Sequence, residues 1–254
     1  MQTEKVIDYI VNWLKDYATK AGVKGYVIGV SGGVDSGVVS TLCAMTGLKV
    51  LALEMPIRQQ KDQASRALEH IDFLKNKFPN VEGFTVDLNE PFEALYKTFD
   101  VKDDEFPAEK LAFANTRSRL RMLTLYYYGQ INGLLVCGTG NKVEDFGIGF
   151  YTKYGDGGVD VSPIADLYKT EVYALARALD LPESIKNAIP TDGLWDVDRT
   201  DEQQIGATYP ELEKIQKELG GYGDRRMQDI GPPSGVSERR SQLDRRAWNF
   251  NAAG

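Results

Sequence analysis

The chain has 254 residues, 42% hydrophobic and 26% charged, the balance of a folded globular protein rather than a disordered or fibrous one. With 30 Lys plus Arg against 37 Asp plus Glu, its net charge is −7, so no surface-wide field draws it to nucleic acid or anionic lipid, and any anion site has to be local. One histidine (His70) and two cysteines (Cys43 and Cys137) exclude a Cys/His zinc centre, a CxxC redox pair and a disulfide framework.

The opening residues mix Glu4, Lys5, Asp8, Lys15 and Asp16 with apolar positions, which is neither a signal peptide nor a transit sequence. No apolar run reaches the roughly 18 residues of a membrane span. A cytoplasmic location is therefore expected, with no membrane partner. Val6, Ile7, Ile10, Val11, Leu14 and Tyr17 recur at helical spacing and predict an amphipathic first helix. Gly25 to Val30 reads as a short buried strand that stops at a glycine-rich turn, and Val38, Val39, Leu42 and Cys43 mark the helix after it. Leu48 to Met55 is a second strand, followed by a helix faced with Ala67, Leu68, Ile71, Leu74 and Phe78. On that helix His70 is expected at the surface.

A third strand is predicted at Gly83 to Leu88, a long helix from about Ala108 to Tyr128, and a fourth strand at Leu134 to Gly138. Thr139 to Gly158 is rich in glycine, charge and aromatics and reads as a loop. Leu167 to Leu179 returns to helical period, with Asp166 as a candidate cap. Beyond Pro190 one helix is predicted, Glu211 to Leu219, and residues 220–254 are expected to be mobile. Strands alternating with helices imply an α/β fold, a doubly wound parallel sheet flanked by helices over one domain spanning 1–254. Ligands of such sheets bind beyond the carboxyl ends of the strands.

The sharpest chemical signal is Ser31-Gly32-Gly33-Val34-Asp35-Ser36, between a strand and a helix. Two glycines let successive amides and a helix N-terminus face one anion, and the two serines add hydroxyl donors. Asp35 would repel a bare phosphate, so a cation such as Mg²⁺ between carboxylate and phosphate makes sense of it. The loop is neither a Walker A motif nor GxGxxG. It resembles the SGGxDS fingerprint of the ATP pyrophosphatases of the adenine nucleotide alpha hydrolase-like fold, which split ATP between the α- and β-phosphates and adenylate a substrate oxygen. Several activities share that fingerprint, so by itself it points to a reaction type and not to a substrate.

A second cluster narrows the choice: Gly138-Thr139, Glu144, Tyr151-Thr152-Lys153-Tyr154-Gly155-Asp156-Gly157-Gly158-Val159-Asp160, Lys169, Pro190-Thr191-Asp192-Gly193-Leu194-Trp195, and then Asp201, Gly206 and Tyr209. Together with the loop it resembles the ammonia-dependent NAD synthetase family, from Ser31 to about Leu219. The resemblance implies ATP-dependent amidation of deamido-NAD (nicotinic acid adenine dinucleotide) to NAD with free ammonia, through an adenylated carboxylate, releasing AMP and pyrophosphate. It implies ATP as co-substrate on Gly29, Val30, Ser31, Gly32, Gly33, Val34, Asp35, Ser36, Thr139, Lys169 and Thr191, with Asp35 and Lys169 catalytic. Mg²⁺ falls to Asp35 and Glu144, and deamido-NAD to Arg119, Lys153, Asp160, Glu238 and Arg239. A homodimer is implied as well. Independently of the resemblance, Tyr126-Tyr127-Tyr128 reads as packing at a helix end, against the core or a second subunit. The helix carrying Arg119 reads Asn115-Thr116-Arg117-Ser118-Arg119-Leu120-Arg121-Met122, similar to the family's N-x-x-A-R-x-R-M with Ser118 in place of alanine. Arg119 and Arg121 face different sides of it. Two more positions depart from the family pattern: Glu238-Arg239-Arg240 replaces a histidine-lysine-arginine stretch, and Glu54 stands where relatives often carry arginine. A tRNA-modifying ATP pyrophosphatase would want a basic face and more cysteines, and a regulatory nucleotide-binding module would have little use for two carboxylates around a triphosphate.

Overall fold

The apolar stripe of the first segment winds into α1 (Thr3–Ala21), which buries Ile7, Ile10, Leu14 and Ala18 and ends at Gly22 in the left-handed region (φ 69°). Then follow β1 (Gly25–Gly29), α2 (Val34–Met45), β2 (Lys49–Glu54), α3 (Lys61–Lys77), β3 (Val81–Thr85), α4 (Asn89–Thr98), α5 (Pro107–Asn132) and β4 (Leu134–Val136). A π-helix (Lys142–Ile148) precedes α6 (Lys169–Ala178), α7 (Glu183–Lys186), α8 (Asp201–Ile205) and α9 (Tyr209–Glu218). The structure is a computed structural model that describes residues 1–59, 61–99, 107–191, 194 and 200–218. The segment 220–254, expected to be mobile, lies outside the described residues.

The four strands form one parallel sheet in the order β3-β2-β1-β4. Because side chains alternate along a strand, each strand feeds both faces. Tyr26 and Ile28 of β1 and Val50 and Ala52 of β2 join one core with α1, α2, α3, α6 and α7. Val27, Leu51 and Leu53 point the other way, into a second core with Phe92 of α4 and Phe113, Leu120 and Leu125 of α5. Helices on both faces make the sheet doubly wound, as expected. The chain runs outward from β1 through β2 to β3 and then returns to place β4 on β1's other side. The crevice between the carboxyl ends of β1 and β4 is therefore the topological switch point.

Four sequence expectations need correction. Thr139 to Gly158 is not loop throughout: Asn141 caps the π-helix by accepting from the amides of Val143 and Glu144, and Val143 is fully buried. The third strand lies two residues earlier than Gly83 because Val81 pairs with Val50, while beyond the strand Leu88 is buried in the second core and Val86 packs half-buried against it. Helices α4, α7 and α8 were hidden by their shortness or polarity, and Tyr168 rather than Asp166 precedes α6. His70 is wholly buried rather than at the surface, packed between α3 and α2. Among the described residues no helix is long and apolar enough to cross a membrane.

Candidate active site

The SGGVDS turn leaves β1 and enters α2. Ser31 Oγ lies 3.1 Å from Ser36 Oγ, the Ser31 amide donates to Ser36 Oγ (3.2 Å), and Ser36 Oγ donates to the Gly33 carbonyl (3.0 Å). The two hydroxyls thus brace the turn from within. Gly32 has φ +81°, and a Cβ there would come within 2.7 Å of the Gln63 carbonyl and 3.0 Å of the Ala67 amide, so only glycine lets the turn rest on α3. Gly33 occupies the N-cap position with no side chain to use the first-turn amides of α2, which a helix cannot satisfy internally. They stay available to an anion.

Asp35 sits in the first turn of α2 and Glu144 in the π-helix that follows β4; they come together because β1 and β4 are neighbours. Between them lies Lys169, the first residue of α6, with 2% exposure. Its Nζ donates to Asp35 Oδ2 at 2.6 Å and to Glu144 Oε1 at 2.9 Å. Burial alone would pull this ammonium down, but the two carboxylates more than reverse that and hold it above its ordinary value. Burial pushes the Asp35 carboxyl up against the pull of Lys169. At Glu144 burial is outweighed by Lys169 and by the Tyr209 hydroxyl, and the carboxyl is held down. Asn141 Nδ2 donates to Asp35 Oδ1 (3.2 Å), so one side chain caps the π-helix and positions the carboxylate. Tyr209 of α9 donates to Glu144, lies 3.1 Å from Asp201 Oδ2, and lays its ring 4.8 Å from the Lys169 ammonium.

Asp35, Glu144, Lys169 and Asp201 line a cavity of about 400 Å³. Every residue assigned to ATP from the sequence reaches its wall: Gly29 to Ser36, Thr139, Lys169 and Thr191, as do Asp35 and Glu144. Arg119, Lys153 and Asp160 do not line it. Arg119 Nε donates to the Lys153 carbonyl (3.2 Å), and the Lys153 ammonium lies 4.9 Å from the Tyr154 ring centroid. Asp160 accepts from the Val136 amide (2.7 Å) and from the Tyr126 hydroxyl (3.0 Å). Arg121, by contrast, donates to the Met55 carbonyl (3.1 Å) inside the cavity wall, so the two arginines do take opposite sides of α5. Glu54 is buried and accepts from the Thr85 hydroxyl, away from the cavity. Glu238 and Arg239 lie outside the described residues.

Sequence reasoning missed several wall residues. Ser118, the departure from the family alanine, donates to Asp156 Oδ1 (2.5 Å) and accepts from the Asp156 amide (2.8 Å), locking the glycine-rich segment onto α5. Burial raises the Asp156 carboxyl, and burial together with Asp156, Glu144 and Asp35 raises that of Asp145. Gln63 and Arg66, one turn apart on α3, also face the cavity. Their i, i+3 spacing puts both on one side of α3, a weaker pattern than the apolar face of the same helix.

A parallel doubly wound sheet whose first turn is a glycine-rich anion cradle, with two carboxylates beside it at the switch point, defines a nucleotide-binding protein of the adenine nucleotide alpha hydrolase-like fold. The family model described as NAD synthase matches residues 6–241, and the chain belongs to that family. It is 41% identical over 214 residues to the NH(3)-dependent NAD(+) synthetase of Mesoplasma florum, covering 84% of each chain. It is 41% identical over 231 residues to the enzyme of the same name from Carboxydothermus hydrogenoformans, covering 89% of this chain and 90% of that one. Among solved structures, NMN synthetase from Francisella tularensis superposes with a TM-score of 0.77 at 32% identity, over 98% of this chain and 95% of the other.

Proposed function

We propose that this chain is a ligase that amidates the nicotinate carboxylate of deamido-NAD with ammonia at the expense of ATP, the last step of NAD formation. The observation that carries the reading is the convergence of the SGGVDS cradle with Asp35, Glu144 and Lys169 in one cavity. A carboxylate cannot expel oxide, so its oxygen first attacks the α-phosphorus, the α–β bridging bond breaks and pyrophosphate leaves. The ammonia nitrogen then attacks the activated carbonyl carbon, loses a proton, and AMP departs. Negative charge grows on the phosphates in the first step, where preorganised donors are worth most.

Asp35 and Glu144 bring hard carboxylate oxygens together beside the cradle and would hold Mg²⁺. Bound there, Mg²⁺ would neutralise phosphate charge as a Lewis acid. Lys169 keeps its proton on Nζ and adds a point charge beside the cradle. Arg119, Lys153 and Asp160, with Glu238 and Arg239, are proposed to hold the dinucleotide next to this cavity.

The whole chain is read as one domain that works as a cytoplasmic homodimer. Leu123, Tyr127 and Ile131 form a stripe at i, i+4 and i+8 along α5, each about 60% exposed, and a second copy would cover it. The test of the function is release of AMP and pyrophosphate from ATP, Mg²⁺, ammonia and deamido-NAD; no release overturns it. A rate with glutamine equal to that with ammonia would overturn the choice of nitrogen donor. Likeness to an NMN synthetase supports a second reading, in which the acid amidated is the mononucleotide. Nicotinic acid mononucleotide in the same assay separates the two by the ratio of kcat/KM.

A further inference from the structure

A leaving pyrophosphate is strongly anionic, and the cationic side chains facing the cavity among the described residues are Lys169, Arg121 and Arg66. Lys169 is already bracketed by two carboxylates, so that group of three carries a net negative charge. Arg121 is tied to the Met55 carbonyl and to Gln59 Oε1. Arg66 is different. It is half-buried on α3 against the cradle, and Nε donates to the Gly32 carbonyl over a long 3.4 Å. A guanidinium has five N–H donors, and the other four meet no acceptor among the described residues. The cradle also rests on the same turn of α3: a Cβ on Gly32 would lie 3.1 Å from Arg66 Cβ. One turn earlier Gln63 Nε2 donates to Thr191 Oγ1 at 3.0 Å, so this edge of α3 reaches a second residue assigned to ATP.

We propose that Arg66 grips the β- and γ-phosphates of ATP, and then the departing pyrophosphate, from the α3 side of the cradle. The inference deepens the ligase reading and rests on it. A planar fork fits two phosphate oxygens at once, which a lysine at this position could not do. Moving from the Gly32 carbonyl to a phosphate needs only a side-chain rotation and exchanges a neutral acceptor for a charged one.

The test is calorimetric titration of the full chain with magnesium pyrophosphate and, separately, with AMP, for wild type, Arg66→Ala and Arg66→Lys. Arg66→Ala is expected to weaken pyrophosphate binding at least about tenfold and leave AMP binding unchanged, with Arg66→Lys recovering part of the loss. The KM for ATP should rise by a similar factor. Pyrophosphate affinity within twofold of wild type in both variants would overturn the proposal. So would equal weakening of AMP and pyrophosphate, the mark of a residue that merely props the Gly32 turn. Wild type that binds pyrophosphate through Arg66 but forms no AMP would overturn the ligase reading and leave this one standing.

Discussion

Lys169 shows how much one buried charge is asked to do. Replacing it with methionine leaves Asp35 and Glu144 facing each other with no counter-charge, and breaking a buried ion pair in this way costs about 3 to 5 kcal/mol. Lys169→Met is therefore expected to lower the urea-unfolding free energy by that amount and to abolish turnover; a loss under about 1 kcal/mol would show that the pair is solvated. His70 makes a separate, pH-dependent contribution. Ser40 Oγ lies 2.7 Å from the Ser36 carbonyl and 2.8 Å from His70 Nε2, so the hydroxyl and the ring share one hydrogen bond. Nδ1 has no hydrogen-bond partner among the described residues, and burial lowers the imidazole from 6.5 to about 4. The unfolded chain takes up a proton near pH 6.5 that the folded chain refuses until about pH 4. The neutral ring thus contributes full stability above pH 6.5 and loses it as pH falls. Between about pH 7 and about pH 4.5, wild type is expected to lose about 2 to 3 kcal/mol more than His70→Gln in urea unfolding. Parallel curves for the two proteins would refute this.

At the scale of elements, the π-helix after β4 decides where Glu144 points. A helix with one extra residue in its turn is intrinsically poor and persists where something anchors it. Here the anchor is Asn141, fully buried, which accepts from two π-helix amides and donates to Asp35. Asn141→Ala is expected to destabilise the protein by about 1 to 2 kcal/mol and to lower kcat more than it raises the KM for deamido-NAD. Unchanged stability and kinetics would mean that the cap is redundant. Nothing in the stretch from Thr139 to Gly158 announces a helix, because its glycines and charges have no regular apolar period to set beside the buried Val143. The elements around it were legible for the opposite reason. β1, β2 and α1 carry long apolar runs or stripes whose period is set by the backbone itself.

At the scale of the whole molecule, the sheet order β3-β2-β1-β4 brings two loops, more than 100 residues apart in the chain, to one crevice. The exposed stripe of α5 makes a matching statement about assembly. Leu123→Lys with Ile131→Lys is expected to convert a sedimenting dimer into a monomer that keeps its secondary structure, since both side chains are about 61% exposed in the isolated chain. A wild-type monomer at working concentration would remove the dimer from the functional reading.

What the sequence determined by itself was local: a strand ending in two glycines followed by a helix makes a tight turn with unsatisfied first-turn amides, because turn geometry and helix amides are properties of neighbouring residues. The family resemblance implies which distant residues join that turn. Only the tertiary structure decided that Lys169 lies between Asp35 and Glu144, that Asn141 and Tyr209 hold those carboxylates, that Arg66 stands beside the cradle, and that His70 is buried. Such pairings depend on strand order and helix packing, which join residues with no spacing relation in the chain, and no local pattern encodes them.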